Sequence, residues 1–419
     1  MATVRTTPIP VLGLSSDLRS LFVMRVVYSS AITIVLGNSF LSSVSASSID
    51  RHAIVSRYNP TRNASSITTP IQVGNGNFAF GADVTGLQTF LPYATMSTWG
   101  WKNDSIPAGK TQADIDNYKG AQWPSHGRDI QYNFDGEPIV MQWLISNPNR
   151  ANLGQVGLLF ADGKGNSVTA AEADLTNVHQ ELDLWSGTIT SSFTWKGKRV
   201  SVQTTSAQTS DAIGVTISSP LIQSGQLGVF LDFPWNDGSS KFSAPFVGTF
   251  NLTGNHTTSL RTDRGLGRNV QAEISHTQVA TTFLTSVGGD YFSISRVSPS
   301  AHRYNILPSG HRASSFSVTV AYSAAQLKSI PKPDDVAKES AQVLKKFWSS
   351  TGFIDVYTGS TDPRASELQR RIISSRYWLR VNEAGNNPPQ EVSYTLLPNH
   401  KSRFDIVHSV RPGQQRMGE

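Results

Sequence analysis

The chain reads as mainly β, a large antiparallel β-sandwich that occupies most of its length and is followed by two helices. Three observations predict this. Apolar and polar residues alternate in short runs between about residues 50 and 325, the period of strands with one buried face. Turn residues break these runs repeatedly, with almost no helical periodicity between them, as in antiparallel sandwiches. From Pro331 onward the period changes to that of amphipathic helices.

With 419 residues the chain can hold two domains or one very large one. Charged residues make up 16%, while 9 Trp and 19 Phe supply bulky core material. The formal net charge is +6, but Lys and Arg are scattered and form no basic cluster, so no nucleic-acid groove is indicated. Cysteine is absent, which excludes a disulfide framework, a thiol nucleophile and a Cys-ligated metal. A core of this size holds a secreted chain without disulfides.

The N-terminal 46 residues read as a targeting segment. Met24-Arg25 precedes the apolar run Ala31–Leu36 and the small-residue site Val44-Ser45-Ala46. A short positive start, an apolar centre and such a site make a secretory signal peptide, with cleavage between Ala46 and Ser47. The run is too short and too interrupted to span a bilayer, so the mature form carries no membrane segment. Residues 1–23 fit no signal-peptide plan, which makes Met24 the expected true start. Sequons stand at Asn63, Asn103, Asn251 and Asn255, about as many as chance supplies. They are compatible with secretion without arguing for it.

Residues 47–328 are expected to form the sandwich. Phe193-x-Trp195, Lys196-Gly197-Lys198 and Val200-x-Val202-x-Thr204 read as a hairpin. Ile213–Ile217, Leu227–Phe233 and Phe316–Val320 repeat the alternation. Gly74, Gly76 and Gly81 superficially match a dinucleotide fingerprint, but Phe78-x-Phe80 continues as a strand where that motif needs a helix. Asn75-Gly76 is therefore a hairpin turn. Trp99 and Trp101 have two readings: a sugar-stacking platform, or closure of one end of the core.

Residues 329–361 form a helical linker. Pro331-Lys332-Pro333 punctuates the chain, Asp334-Asp335 open a helix of about 334 to 349, and Val336, Val343, Leu344 and Phe347 make its apolar stripe. A second helix starts at Asp362 as N-cap with Pro363 in its first turn. Leu368, Ile372, Ser375 and Leu379 lie on one face, widened by Ile373, and Arg370, Arg371 and Arg376 read as a solvated face rather than a phosphate site.

Val73-Gly74-Asn75-Gly76, Gly81 and Asp83-x-Thr85-Gly86-Leu87-Gln88-Thr89 resemble the N-terminal signature of secreted six-hairpin glycosidase-like proteins related to glycoside hydrolase family 65. Asp183-Leu184-Trp185-Ser186-Gly187, followed by Val200-x-Val202-x-Thr204, is similar to the middle of the same domain. The resemblance covers residues 50–391. It implies a supersandwich-like N-terminal domain, a linker helix and, from residue 362, the first helix of an incomplete (α/α)6 barrel. It also implies an inverting glycoside hydrolase or phosphorylase whose general acid lies later than this chain extends.

Inverting cleavage needs one carboxylic acid for the leaving oxygen and, opposite it, a base for water or a phosphate in its place. By position in the resembling family Glu391 would bind substrate, the other reading being a surface loop. The nine His show no metal-ligand spacing, and a Gly-x-Ser-x-Gly elbow is absent. Neither metal nor cofactor is expected. Residues 392–419 carry no sustained helical stripe. Val392-Ser393 can be encoded by GTA-AGT, a splice-donor sequence, so these residues are read as translated intron, a shifted frame or a genuine tail. The expected partner is an oligosaccharide or polysaccharide, and the expected protein a carbohydrate-active enzyme inactive as this chain. A non-catalytic carbohydrate-binding sandwich is the alternative, and a poorly folding fragment a third reading.

Overall fold

The computed structural model describes residues 49–238, 247–263, 271–309 and 313–387. Met24, Ala46, Ser47, Glu391 and residues 392–419 lie outside them.

The fold is mainly β, with large antiparallel sheets followed by two long helices. A nine-stranded sheet runs Thr61–Arg62, Thr176–Asp183, Thr188–Trp195, Lys198–Ser206, Ala212–Ser218, Ser315–Ser323, Thr281–Gly289, Gln271–Gln278, His256–Asp263. A four-stranded sheet runs Phe292–Arg296, Arg303–Pro308, Leu227–Asp232, Gln155–Phe160. Strand Thr188–Trp195 buries every second residue, as its alternation predicts. The side chains of both sheets meet in one continuous apolar cluster that includes Phe193, Val215, Val318, Val229 and Ile306. Pairing of Val215 with Val318 joins the middle of the chain to its late part and completes the large sheet.

The sequence-predicted hairpins are present. Trp195 pairs with Lys198, and the two residues between them take positive φ of 48° and 73°. Ile71–Gly74 and Phe78–Ala82 pair across the Asn75-Gly76 turn and form a small sheet with Met96–Ser97. Phe78–Ala82 is buried along its whole length. It is a strand, and the dinucleotide motif is absent.

The linker helix is Pro333–Ser350, with Pro in its first turn and Asp334 and Asp335 behind it. Its buried row is Val336, Ser340, Leu344 and Trp348, whereas Val343 and Phe347 are half-buried. The stripe expected from sequence shares Val336 and Leu344 with this row and lacks Trp348. Arg51 closes the C-terminal end, its Nη1 donating to the carbonyls of Trp348, Ser349 and Thr351 at 2.9, 2.8 and 2.8 Å.

The terminal helix, Ala365–Asn382, corrects two expectations. Asp362 is not its N-cap: Oδ1 accepts from the Arg364 N–H at 2.8 Å inside a turn that precedes the helix. The buried row is Ala365, Gln369, Ile373, Tyr377 and Val381, one position on from the predicted face. Leu368 and Leu379 stand 51% and 52% exposed. Gln369 explains the shift, because its buried amide accepts from Val356 N at 2.7 Å and donates to Ile354 O at 3.0 Å. A polar residue satisfied by backbone belongs to the core without breaking the rule that buried polar groups are paired. Among the described residues no helix is long and apolar enough to cross a membrane.

Candidate functional site

The two motifs that carry the family resemblance turn out to be seats for the two helices. In Asp183–Gly187 the turn ends at Gly187 with φ 68°, where a Cβ would run into Leu344 and Ser340. Ser340 Oγ donates to Ser186 O at 2.8 Å, and the Trp348 indole donates to Leu184 O at 2.7 Å. The linker helix therefore rests on this turn by close approach and two hydrogen bonds.

The terminal helix rests on the other. Asn75 Oδ1 accepts from the N–H groups of Asn77 and Phe78, both at 2.9 Å, which fixes the turn. Gly76 has φ 93°, donates to Val381 O at 3.0 Å, and leaves no room for a Cβ, which would lie 2.6 Å from the Ala384 backbone. A Cβ on Gly74 would lie 2.5 Å from Val381 O. Tyr377 donates to Gln72 O at 3.1 Å, and burial holds its phenol well above the usual range. Arg380 donates to Asn75 O at 2.7 Å and to Gln208 Oε1 at 3.1 Å. Asn386 N donates to Asn77 Oδ1 at 2.7 Å. The chain leaving the helix is thus tied to the glycine turn.

Two further segments complete this rim. Gln208 Nε2 donates to Gly74 O at 3.1 Å, and Asn75 Nδ2 reaches Ala207 O and Ser210 O at 3.2 and 3.1 Å. Next to them Asp211 Oδ2 accepts from the Trp99 indole at 2.6 Å and from Ser97 Oγ. Trp99 is half-buried, its ring centroid 6.3 Å from that of Phe283. This ring is fixed by a carboxylate and packed against the core. Trp101 is half-buried on a two-residue strand whose partner is Arg150.

The amides, guanidinium and carboxylate of this rim bond to one another and to backbone, which locks the terminal helix to the sandwich. Asn63, Asn251 and Asn255 are exposed, and Asn103 is half-buried.

Three histidines far apart in the sequence come together in the fold. His256 Nδ1 lies 2.9 Å from His276 Nε2, and the rings of His256 and His302 are 4.0 Å apart. No local spacing could have revealed this, because 20 and 26 residues separate them. Among the described residues no group of three or more His, Cys, Asp or Glu could hold a metal ion.

No protein-family profile and no curated protein matches the chain. Among solved structures it is similar to one described as "Putative kojibiose phosphorylase from human microbiome", with 10% identity and a TM-score of 0.35 over 77% of this chain. The match spans 39% of that protein's length. A likeness at this level neither places the chain in a family nor gives it an activity.

Proposed function

We propose that this chain is the N-terminal part of a secreted, inverting glycoside hydrolase or phosphorylase of the family-65 type, acting on an oligosaccharide or polysaccharide and inactive as it stands. One observation carries this reading. A long helix is seated on a glycine turn by its Ile373–Tyr377–Val381 row, yet it carries a second apolar row in which Leu368 and Leu379 are exposed and Ile372 is half-buried. A helix apolar on two faces is built to be covered on both. A barrel of helix pairs supplies such a cover; a free-standing binding sandwich has no use for it.

The test is an assay of the purified chain on α-linked gluco-disaccharides, with and without inorganic phosphate, beside a glycan array. The expected result is glycan binding without release of monosaccharide. Turnover by this chain alone, or a folded chain that ignores every glycan, overturns the proposal. N-terminal sequencing of the secreted product should find Ser47 first; a product retaining residues 1–23 would count against the secretory assignment.

A further inference from the structure

Apart from the rim, the fold holds a cleft of about 720 Å³, within the range of roughly 300–1,000 Å³ usual for small-molecule sites. It lies between the loop at Asp104, the helix Pro138–Ser146, the Trp235–Gly238 segment and the two-residue turn at Val279. Trp143 and Trp235 give it aromatic walls, with Ile139 and Val279 at exposed positions beside them. The Trp143 indole is held in place by donating to the carbonyls of Ser105 and Asp104 at 3.0 and 3.3 Å. Trp235 lies beneath the Lys102 ammonium, 4.7 Å from its ring centroid. These indoles are fixed before any ligand arrives, which lowers the ordering cost of binding.

The polar groups narrow the ligand class. The fully buried Lys102 ammonium pairs with Asp104 Oδ1, so this part of the cleft is charge-compensated. Asp104 Oδ2 is buried and has no hydrogen-bond partner. Gly238 leaves space for that oxygen, since a Cβ there would collide with it. Asp237 also lines the cleft, and among the described residues no Lys or Arg does. A ligand that fits has apolar faces for the indoles and no negative charge.

The geometry points to this cleft as a binding site for a neutral oligosaccharide, separate from the rim where the terminal helix docks. Its choice of ligand rests on the carbohydrate reading above, whereas its location does not. Val279 supports the assignment independently. It is a β-branched residue at φ 54° in a tight turn, a conformation such residues avoid, and its side chain lines the cleft.

The test is calorimetric titration of the full chain with maltotriose, cellotriose and trigalacturonate. At least one neutral trisaccharide should bind, with trigalacturonate at least tenfold weaker. Trp143→Ala and the mouth-blocking Val279→Trp should each weaken the neutral ligand at least tenfold, while Trp123→Ala, on an exposed hairpin elsewhere, should not. Circular dichroism of each variant guards against loss of fold, and Val279→Trp changes an exposed position. Binding that survives both variants sinks this inference and leaves the carbohydrate reading standing. Equal affinity for trigalacturonate sinks the charge argument, and a folded chain that binds no saccharide sinks both readings.

Discussion

His256 and His276 share a hydrogen bond in the core, and both are held neutral there. Burial, then the charges of His302 and Arg296, push His256 down to about 4. Burial, then His256 and His302, sets His276 well below its ordinary value. The surrounding elements contribute Arg296, Tyr304 and Thr258, with Phe233 and Trp235 as apolar walls. An unfolded chain takes up protons at such residues near pH 6.5, roughly. Folded pKa values below the unfolded one make this contribution complete above about pH 6.5 and progressively lost as the pH falls towards 4. Asp83 and Asp232 act with the opposite sign, since burial raises each to about 6, so their contribution is present in acid and lost as the pH rises through 6. For Asp232 the burial outweighs Arg303, whose Nη1 is 3.5 Å away. The histidine part is isolated by His276→Gln: thermal melts from pH 7 to 4.5 should show a shallower loss of stability than the parent, although the variant starts about 1–2 kcal/mol lower from disturbed pairing. An unchanged slope would refute the coupling. Val279 offers a second test at this scale. Asn tolerates the left-handed region that Val avoids, so Val279→Asn should stabilise the fold by about 1 kcal/mol in urea melts while weakening saccharide binding.

At the scale of elements, the glycine turns decide where the helices go. Gly76→Ala forces a Cβ into the Ala384 backbone and an L-residue into φ 93°, so it should cost about 1–3 kcal/mol and speed amide exchange at residues 381–386. Urea melts and hydrogen exchange check it; unchanged exchange would mean the turn does not hold the helix. The turn itself was legible in the sequence, because Asn75-Gly76 between alternating apolar runs carries its own local chemistry. Its purpose was not, since the partner is more than 300 residues away in the chain. The same divide recurs elsewhere. Lys196-Gly197 and the strand alternations are local signals, legible in the sequence. The buried face of the terminal helix was misplaced because Gln369 gains its hydrogen bonds only from a folded loop. Trp143, Trp235 and Asp104 carry no local signal for a similar reason: they lie on three separate segments and converge only in the folded chain.

For the whole molecule, the question is what the open face of the terminal helix implies for the behaviour of the chain in solution. The sandwich buries its own apolar surface, and both sheets share one core. The helix is then anchored by Ile373, Tyr377 and Val381, all fully buried. Deleting the Ile373 side chain should therefore cost about 2–5 kcal/mol, the range for large-to-small changes in a core. Leu368 and Leu379 contribute little to that anchoring, being half out of contact with the protein. Joined with Ile372 on one row, they form an apolar stripe that water contacts and that a second apolar surface would cover. The chain on its own should accordingly self-associate as its concentration rises. Leu368→Lys combined with Leu379→Lys should abolish this in analytical ultracentrifugation while changing unfolding stability by no more than about 0.5 kcal/mol. A large loss of stability in that double variant would show that the stripe is already covered within the molecule, and the case for a helical continuation would fall with it.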